Sequence, residues 1–206
     1  MKRKIYFTAD WHVGHANCLK FDNRPFDTIE EMHEALVKNF NCTVPKHGIT
    51  YFAGDMGWTS HGLLRSIITR LNGTKILVRG NHDGGLDAMY EAGFDFVTEK
   101  AQFTLGKEII TITHCPLKGV FREDTTGMRG HDGTENWHGE EKNGNRYSIE
   151  DFGQFHLHGH VHTRPDRGLT KDGRQWDVGV PGNNYKPVTM SQVQSWITKY
   201  KETHAK

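Results

Sequence analysis

Five short apolar runs in this chain each stop at a polar cluster, and that repetition restricts its fold more than any other feature. Residues 5–9 run into Asp10-x-His12, 49–53 into Gly54-Asp55, 75–79 into Gly80-Asn81-His82-Asp83, 108–113 into His114, and 155–157 into Gly159-His160-x-His162. Short apolar runs bounded by glycine and polar residues read as buried strands. Helical spacing fills the gaps between the first three. Thr28 and Glu31 are placed as a capping box for a helix over 27–40, whose Ile29, Met32, Leu36, Val37 and Phe40 share one face. A second helix over 60–71 carries Leu63, Leu64, Ile67, Ile68 and Leu71, with Gly73 near its C-cap. A short third helix spans 85–91 and stops at Gly93. Strand period then takes over at 94–97 and 101–105 and returns at 176–180, and a helix over 191–200 closes the pattern. A β-α-β-α-β half followed by a strand-rich half predicts an α/β layered sandwich with central sheets and flanking helices. The carboxyl ends of strands in such folds converge on one crevice, where side chains remote in sequence meet.

Composition narrows the function classes. At 206 residues one domain over 1–206 is expected, and 11% aromatic residues supply bulk for a core. Net charge is +1, from 26 basic and 25 acidic side chains. That balance disfavours a duplex nucleic acid partner, which selects a basic excess or stripe, and favours a small molecule. Three cysteines without C-x-x-C spacing argue against a disulfide framework and a thiolate zinc site. Histidine stands out at 14, against roughly four or five from ordinary usage, and points to metal or acid–base chemistry. No apolar stretch approaches the roughly 18 residues of a membrane span. The apolar run after Met1-Lys2-Arg3-Lys4 is too short for a signal h-region, so a cytoplasmic location is expected. Residues 116–148 form one long glycine-rich polar segment, a length that is usually functional or disordered. Oligomeric state is left open.

The clusters together contain what two divalent ions need: carboxylates, an amide oxygen and imidazoles, with no thiolate. Each piece alone has an ordinary reading as well. A single D-x-H arises by chance, Gly-Asp is a common turn, and Asn81 and Asp83 could cap the next helix. The alternating His156, His158, His160 and His162 could be a polar strand edge, and His114 a satisfied buried histidine. The order of the pieces, each at a strand end, is the specific signal.

In that order, D-x-H, G-D, G-N-H-D, H and G-H-x-H, the chain resembles the calcineurin-like metallophosphoesterase superfamily. The match spans residues 10–162, and the stretch from Asp10 to Asn17 with Asn23-Arg24-Pro25-Phe26 is similar to small single-domain bacterial and phage phosphoesterases. The resemblance implies a layered α/β/β/α sandwich with two central mixed sheets and flanking helices. It implies two divalent metal ions, with Mn, Fe, Ni, Co and Zn all compatible with His-rich ligation. Asp10, His12 and His162 would hold one ion, Asn81, His114 and His160 the other, and Asp55 would bridge them. The implied reaction is hydrolysis of a small phosphorylated substrate, nucleotide-type monoesters or diesters included, by in-line attack of a metal-bridging hydroxide. His82 would protonate or stabilise the leaving group, and Asp83 would orient the His82 ring. His15, Asn17 and Arg24 are candidate substrate contacts, each with a packing or salt-bridge alternative. A lid role for 116–148, with Trp137 stacking on a base, is weighed against a plain surface excursion. A metal-dependent nuclease and a non-catalytic binding scaffold are the competing functions.

Overall fold

The structure, a computed structural model, describes residues 3–57, 61–117, 147–163 and 171–205. Most of the 116–148 segment, Trp137 included, lies outside them. The order is β1 (Ile5–Thr8), α1 (Cys18–Phe21), α2 (Ile29–Thr43), β2 (Ile49–Phe52), α3 (His61–Ile68), β3 (Thr74–Val78), α4 (Leu86–Glu91), β4 (Phe96–Thr98), β5 (Ala101–Leu105), β6 (Glu108–Ile112), β7 (Phe155–His158), β8 (Lys171–Asp172), β9 (Gln175–Asp177), β10 (Val188–Thr189) and α5 (Met190–His204). Two mixed sheets result, in the orders β10-β1-β2-β3-β4 and β5-β6-β7-β9-β8.

Alternation along the strands of the first sheet explains its two coats. Tyr6, Phe52 and Leu77 face Met32, Leu36 and Phe40 of α2 and Leu64 and Ile68 of α3. Phe7 and Val78 face the other way, into a second core with Ile110, Ile112, Phe155 and Leu157 of the second sheet. Phe7 stacks on Tyr51 and on Phe103 at the sheet–sheet boundary. Strands buried on both faces read as near-continuous apolar runs, as these do. The closing helix starts at a full capping box, Thr189 with Gln192. It adds Val193, Trp196 and Ile197 to the inter-sheet core, with Trp196 edge-on to Phe155 and Trp176. The capping box expected at α2 forms only in part: Thr28 accepts from Glu31 N, but the Glu31 carboxylate reaches Asp27 N instead.

Two features aim the strand ends at one place. Strands β1, β2 and β3 are parallel in one sheet, and β6, β7 and β9 are parallel in the other. Past β9 the chain crosses over. Gly179 bridges Ala9, and Val180 N donates to the Ala9 carbonyl. The strand expected over 176–180 is therefore cut at Asp177, whose carboxylate takes the Thr163 and Gly179 amides. Trp196→Ala should cost about 3–5 kcal/mol, the range for a buried large aromatic, measured by denaturant unfolding. A cost below about 1 kcal/mol would contradict the role given to α5.

Candidate metal centre

The residues after β1, β2 and β7 arrive in conformations that side chains seldom adopt. Asp10, His12, Asp55, His160 and His162 all have φ between 46° and 71°. A left-handed backbone costs a non-glycine residue roughly 1–2 kcal/mol, and such strain gathers at functional sites. Here it turns each side chain off the strand axis into the crevice. Neighbouring glycines leave the room. A Cβ on Gly54 would meet His114 Nδ1 at 2.5 Å, one on Gly159 would meet Asp10 Oδ2 at 2.5 Å, and one on Gly80 would collide with Asp55 Oδ1.

The result is two groups with metal-binding potential and one shared member. Asp10, His12, Asp55 and His162 offer donor atoms within 4.8 Å of one another, as do Asp55, His114 and His160. In the first group His12 Nε2 lies 2.9 Å from His162 Nε2 and 3.8 Å from Asp55 Oδ2, and His162 Nε2 lies 3.5 Å from Asp10 Oδ1. In the second, His114 Nε2 stands 3.2 Å from Asp55 Oδ2 and 3.2 Å from His160 Nδ1. The backbone is pinned around them: Asp10 N donates to Gly54 O, His12 N to Asp55 O, and His160 N to the Asp10 carboxylate.

The electrostatics of the pocket are set by burial and by pairing between carboxylates and imidazoles. Burial alone would push His114 and His162 down, but Asp55 holds His114 up at about 9, and Asp10 with Asp22 holds His162 up at about 10. Burial lowers their partners, with His160 falling to about 3 and His12 well below the usual range. Carboxylate–imidazole donor sets converging in this way suit the first-row divalent metals. The residues present fit a metal at both groups.

Several expected residues fall into place and others move. His82 N donates to Asp55 Oδ1 at 2.9 Å, and its half-buried ring lies 5.8 Å from that of His12. His15, also half-buried, has its ring 6.0 Å from His12, while Asn17 is exposed at the start of α1 and Asn81 is exposed beside His82. Asp83 is engaged with the backbone. Its carboxylate accepts from Gly80 N, Asp55 N and Met56 N at 2.8–3.0 Å, because the turn after β3 folds back over β2. Arg24 makes the salt bridge that was its alternative reading: its buried guanidinium binds Asp22, the Asp10 and Trp11 carbonyls and Met32 Sδ. The histidine run divides. His156 bonds Thr111 and Thr113 within the second sheet, and His160 and His162 reach the site beyond it. Cys115 belongs to neither group, and burial pushes its thiol up to about 12. The closeness of Gly179 to Asp10 arises from the crossover after β9.

No family model matches the chain. Uncharacterized protein MJ1445 of Methanocaldococcus jannaschii is 43% identical over 83 residues, 39% of this chain and 47% of that protein. This chain's match thus spans about half the length of that relative. The gene 66 protein of Mycobacterium phage L5 is 26% identical over 85% of both chains. The crystal structure of AQ665 from Aquifex aeolicus, a protein of unknown function, covers 95% of this chain and 100% of its own at TM-score 0.68 and 25% identity. The YfcE phosphoesterase of E. coli aligns at 14% identity and TM-score 0.37 over 91% of this chain and 82% of its own, too slight a likeness to carry an argument. Nearly the whole chain therefore shares its two-sheet fold with a solved protein.

Two expectations follow from the geometry. A Cβ on Gly179 would meet Asp10 Oδ2 at 2.6 Å and Asp177 Oδ1 at 2.8 Å, while its φ of −57° suits any residue. Gly179→Ala should therefore keep the fold by circular dichroism and lose ion uptake by elemental analysis; normal uptake would contradict the packing. The second concerns pH. His114 and His162 carry folded values above the roughly 6.5 of free imidazole. Their stabilisation of the metal-free protein is full below that value and is lost as pH rises through about 9 and then about 10. Metal uptake must expel the same protons. Calorimetry at pH 7 in buffers of different ionisation enthalpy should show release of about two protons per chain, with weaker uptake at lower pH. Uptake without proton release would contradict the protonation pattern.

Proposed function

We propose that the chain is a metal-dependent phosphoesterase of the calcineurin-like kind, acting on small phosphate esters of the nucleotide type. The observation that carries this reading is Asp55. Its carboxylate belongs to both metal-competent groups, as a bridge between two adjacent cations would have to. Ions held there would supply Lewis-acid charge and an activated water for attack on phosphorus.

The chain's own residues do the rest. Asp10, His12 and His162 hold one side of the site, and His114 and His160 the other, with Asn81 adding an amide oxygen at its exposed rim. Asp83 keeps Asp55 aimed by binding the Asp55 and Met56 amides. His82 is fixed through its backbone bond to Asp55, and its ring is left partly open to an incoming ester. It protonates the departing oxygen. Near-zero net charge suits a small substrate better than a duplex.

The test is a screen of nucleoside monophosphates, cyclic nucleotides, p-nitrophenyl phosphate and its bis-ester with Mn, Ni and Zn supplied in turn. Metal-dependent hydrolysis of at least one class is expected, and none by protein shown to carry its ions would overturn the reading. His82→Ala should lower turnover by about 10²–10⁴-fold, the usual worth of a general acid, with metal content unchanged. Parallel loss of metal would make His82 a ligand. Asp55→Ala should lose both ions together, and one ion retained at full occupancy would contradict the bridge.

A further inference from the structure

Arg24 and Asp22 form a buried pair whose purpose is not explained by packing. The Asp22 carboxylate is divided between two partners. Oδ2 accepts from Arg24 Nε at 3.0 Å and Nη2 at 2.8 Å, and Oδ1 lies 2.9 Å from His162 Nδ1. Two more guanidinium donors reach back to the start of the site, Nη2 to the Asp10 carbonyl at 2.9 Å and Nη1 to the Trp11 carbonyl at 3.2 Å, and a third, from Nη1, goes to Met32 Sδ at 3.5 Å. One side-chain pair therefore ties the strained Asp10 backbone to a histidine 152 positions further along the chain, and both flank the same metal-competent group.

We infer that Asp22, fixed by Arg24, is a positioning residue for His162. A carboxylate facing Nδ1 requires the proton there, so the Nε2 lone pair is left for the point between His12 and Asp10. Histidine ligands commonly donate their second ring N–H to a carboxylate or carbonyl, which fixes tautomer and orientation. The other group shows the same device in neutral form, with His114 Nδ1 2.8 Å from the Ala53 carbonyl. In the first group His162 receives a charged partner, and Arg24, buried and paired to Asp22, cancels the added negative charge. A lysine could not replace it, because only the planar fork reaches one carboxylate oxygen and two carbonyls at once. The loop at 22–26 is thus part of the metal centre without touching the ion.

The inference rests on the metal-site reading, and the experiment separates the two. Wild type and Asp22→Asn, both metal-free, are titrated with Mn and with Zn, and both affinities are measured. Wild type should bind two ions. Asp22→Asn should bind one of them about 10–100-fold more weakly, the usual cost of losing such a partner, with the other unchanged. Arg24→Lys should weaken the same ion. Equal affinities in wild type and Asp22→Asn would overturn the inference and leave the site standing, as would a loss shared by both ions. Wild type that takes up no ion would overturn both. Should the variant fail to fold, long-range nitrogen–proton correlation on zinc-loaded wild type decides instead: the His162 proton must sit on Nδ1, and a proton on Nε2 refutes the assignment.

Discussion

Two carboxylates, Asp10 and Asp55, are buried side by side where the strand ends meet, and the rest of the molecule is arranged around making that tolerable. Isolated ionised carboxylates in an apolar interior cost many kcal/mol and neutralise themselves unless they are paired. Neither is neutralised here: both are held below the usual carboxylate range, burial working against His162 for Asp10 and against His114 for Asp55. The compensation comes from imidazoles delivered by the second sheet. Without the parallel run of β6 and β7 the positive charge would be on the wrong side of the molecule, and the acids would have to bind protons. The two-sheet fold is thus a means of bringing opposite charge to one line from two independent strand layers.

Geometry of this kind has to be held against backbone strain. Five site residues sit in the left-handed region, which Asp and His tolerate better than most side chains but which still costs roughly 1–2 kcal/mol each. What holds them is tertiary: the amide of Asp10 on the Gly54 carbonyl, the amide of His12 on the Asp55 carbonyl, and the Asp83 carboxylate gathering three amides of the turns that follow β2 and β3. Burial pushes Asp83 up to about 6, with the Asp55 charge adding to it, so this anchor works under load near neutral pH. Glycines at 54, 80 and 159 then keep their Cβ positions vacant for neighbouring ligand atoms. Motif glycines and motif ligands are one device, since neither can be placed without the other.

Much of this was readable in advance because it rests on local chemistry. Strand period, helical spacing and the Thr28 cap placed most of the longer elements within a few residues, while the short α1, β8 and β10 carried no periodic signal, and the recurrence of polar tips at strand ends pointed to the crevice. What escaped the sequence depended on how loops fold back. Asp83 could face His82 or the amides behind it, and only the course of the turn after β3 decides. Arg24 carries the charge and shape of a phosphate contact, and a salt bridge to Asp22 was its alternative; the pairing with Asp22, the Asp10 and Trp11 carbonyls and Met32 Sδ comes from the fold of the 22–26 loop. Gly179 lies in a tail whose pattern was visible, but its contact with Asp10 is created by the crossing from β9 to β1. What the sequence left undecided was how these loops fold back on the strand ends.

Where cations settle in the protein decides whether Asp55 bridges two metals. Crystals soaked in manganese and measured at the manganese absorption edge should show two anomalous peaks per chain, about 3.5–4 Å apart as in two-metal sites, with Asp55 between them. A single peak, or peaks away from the Asp55 carboxylate, would contradict that bridge.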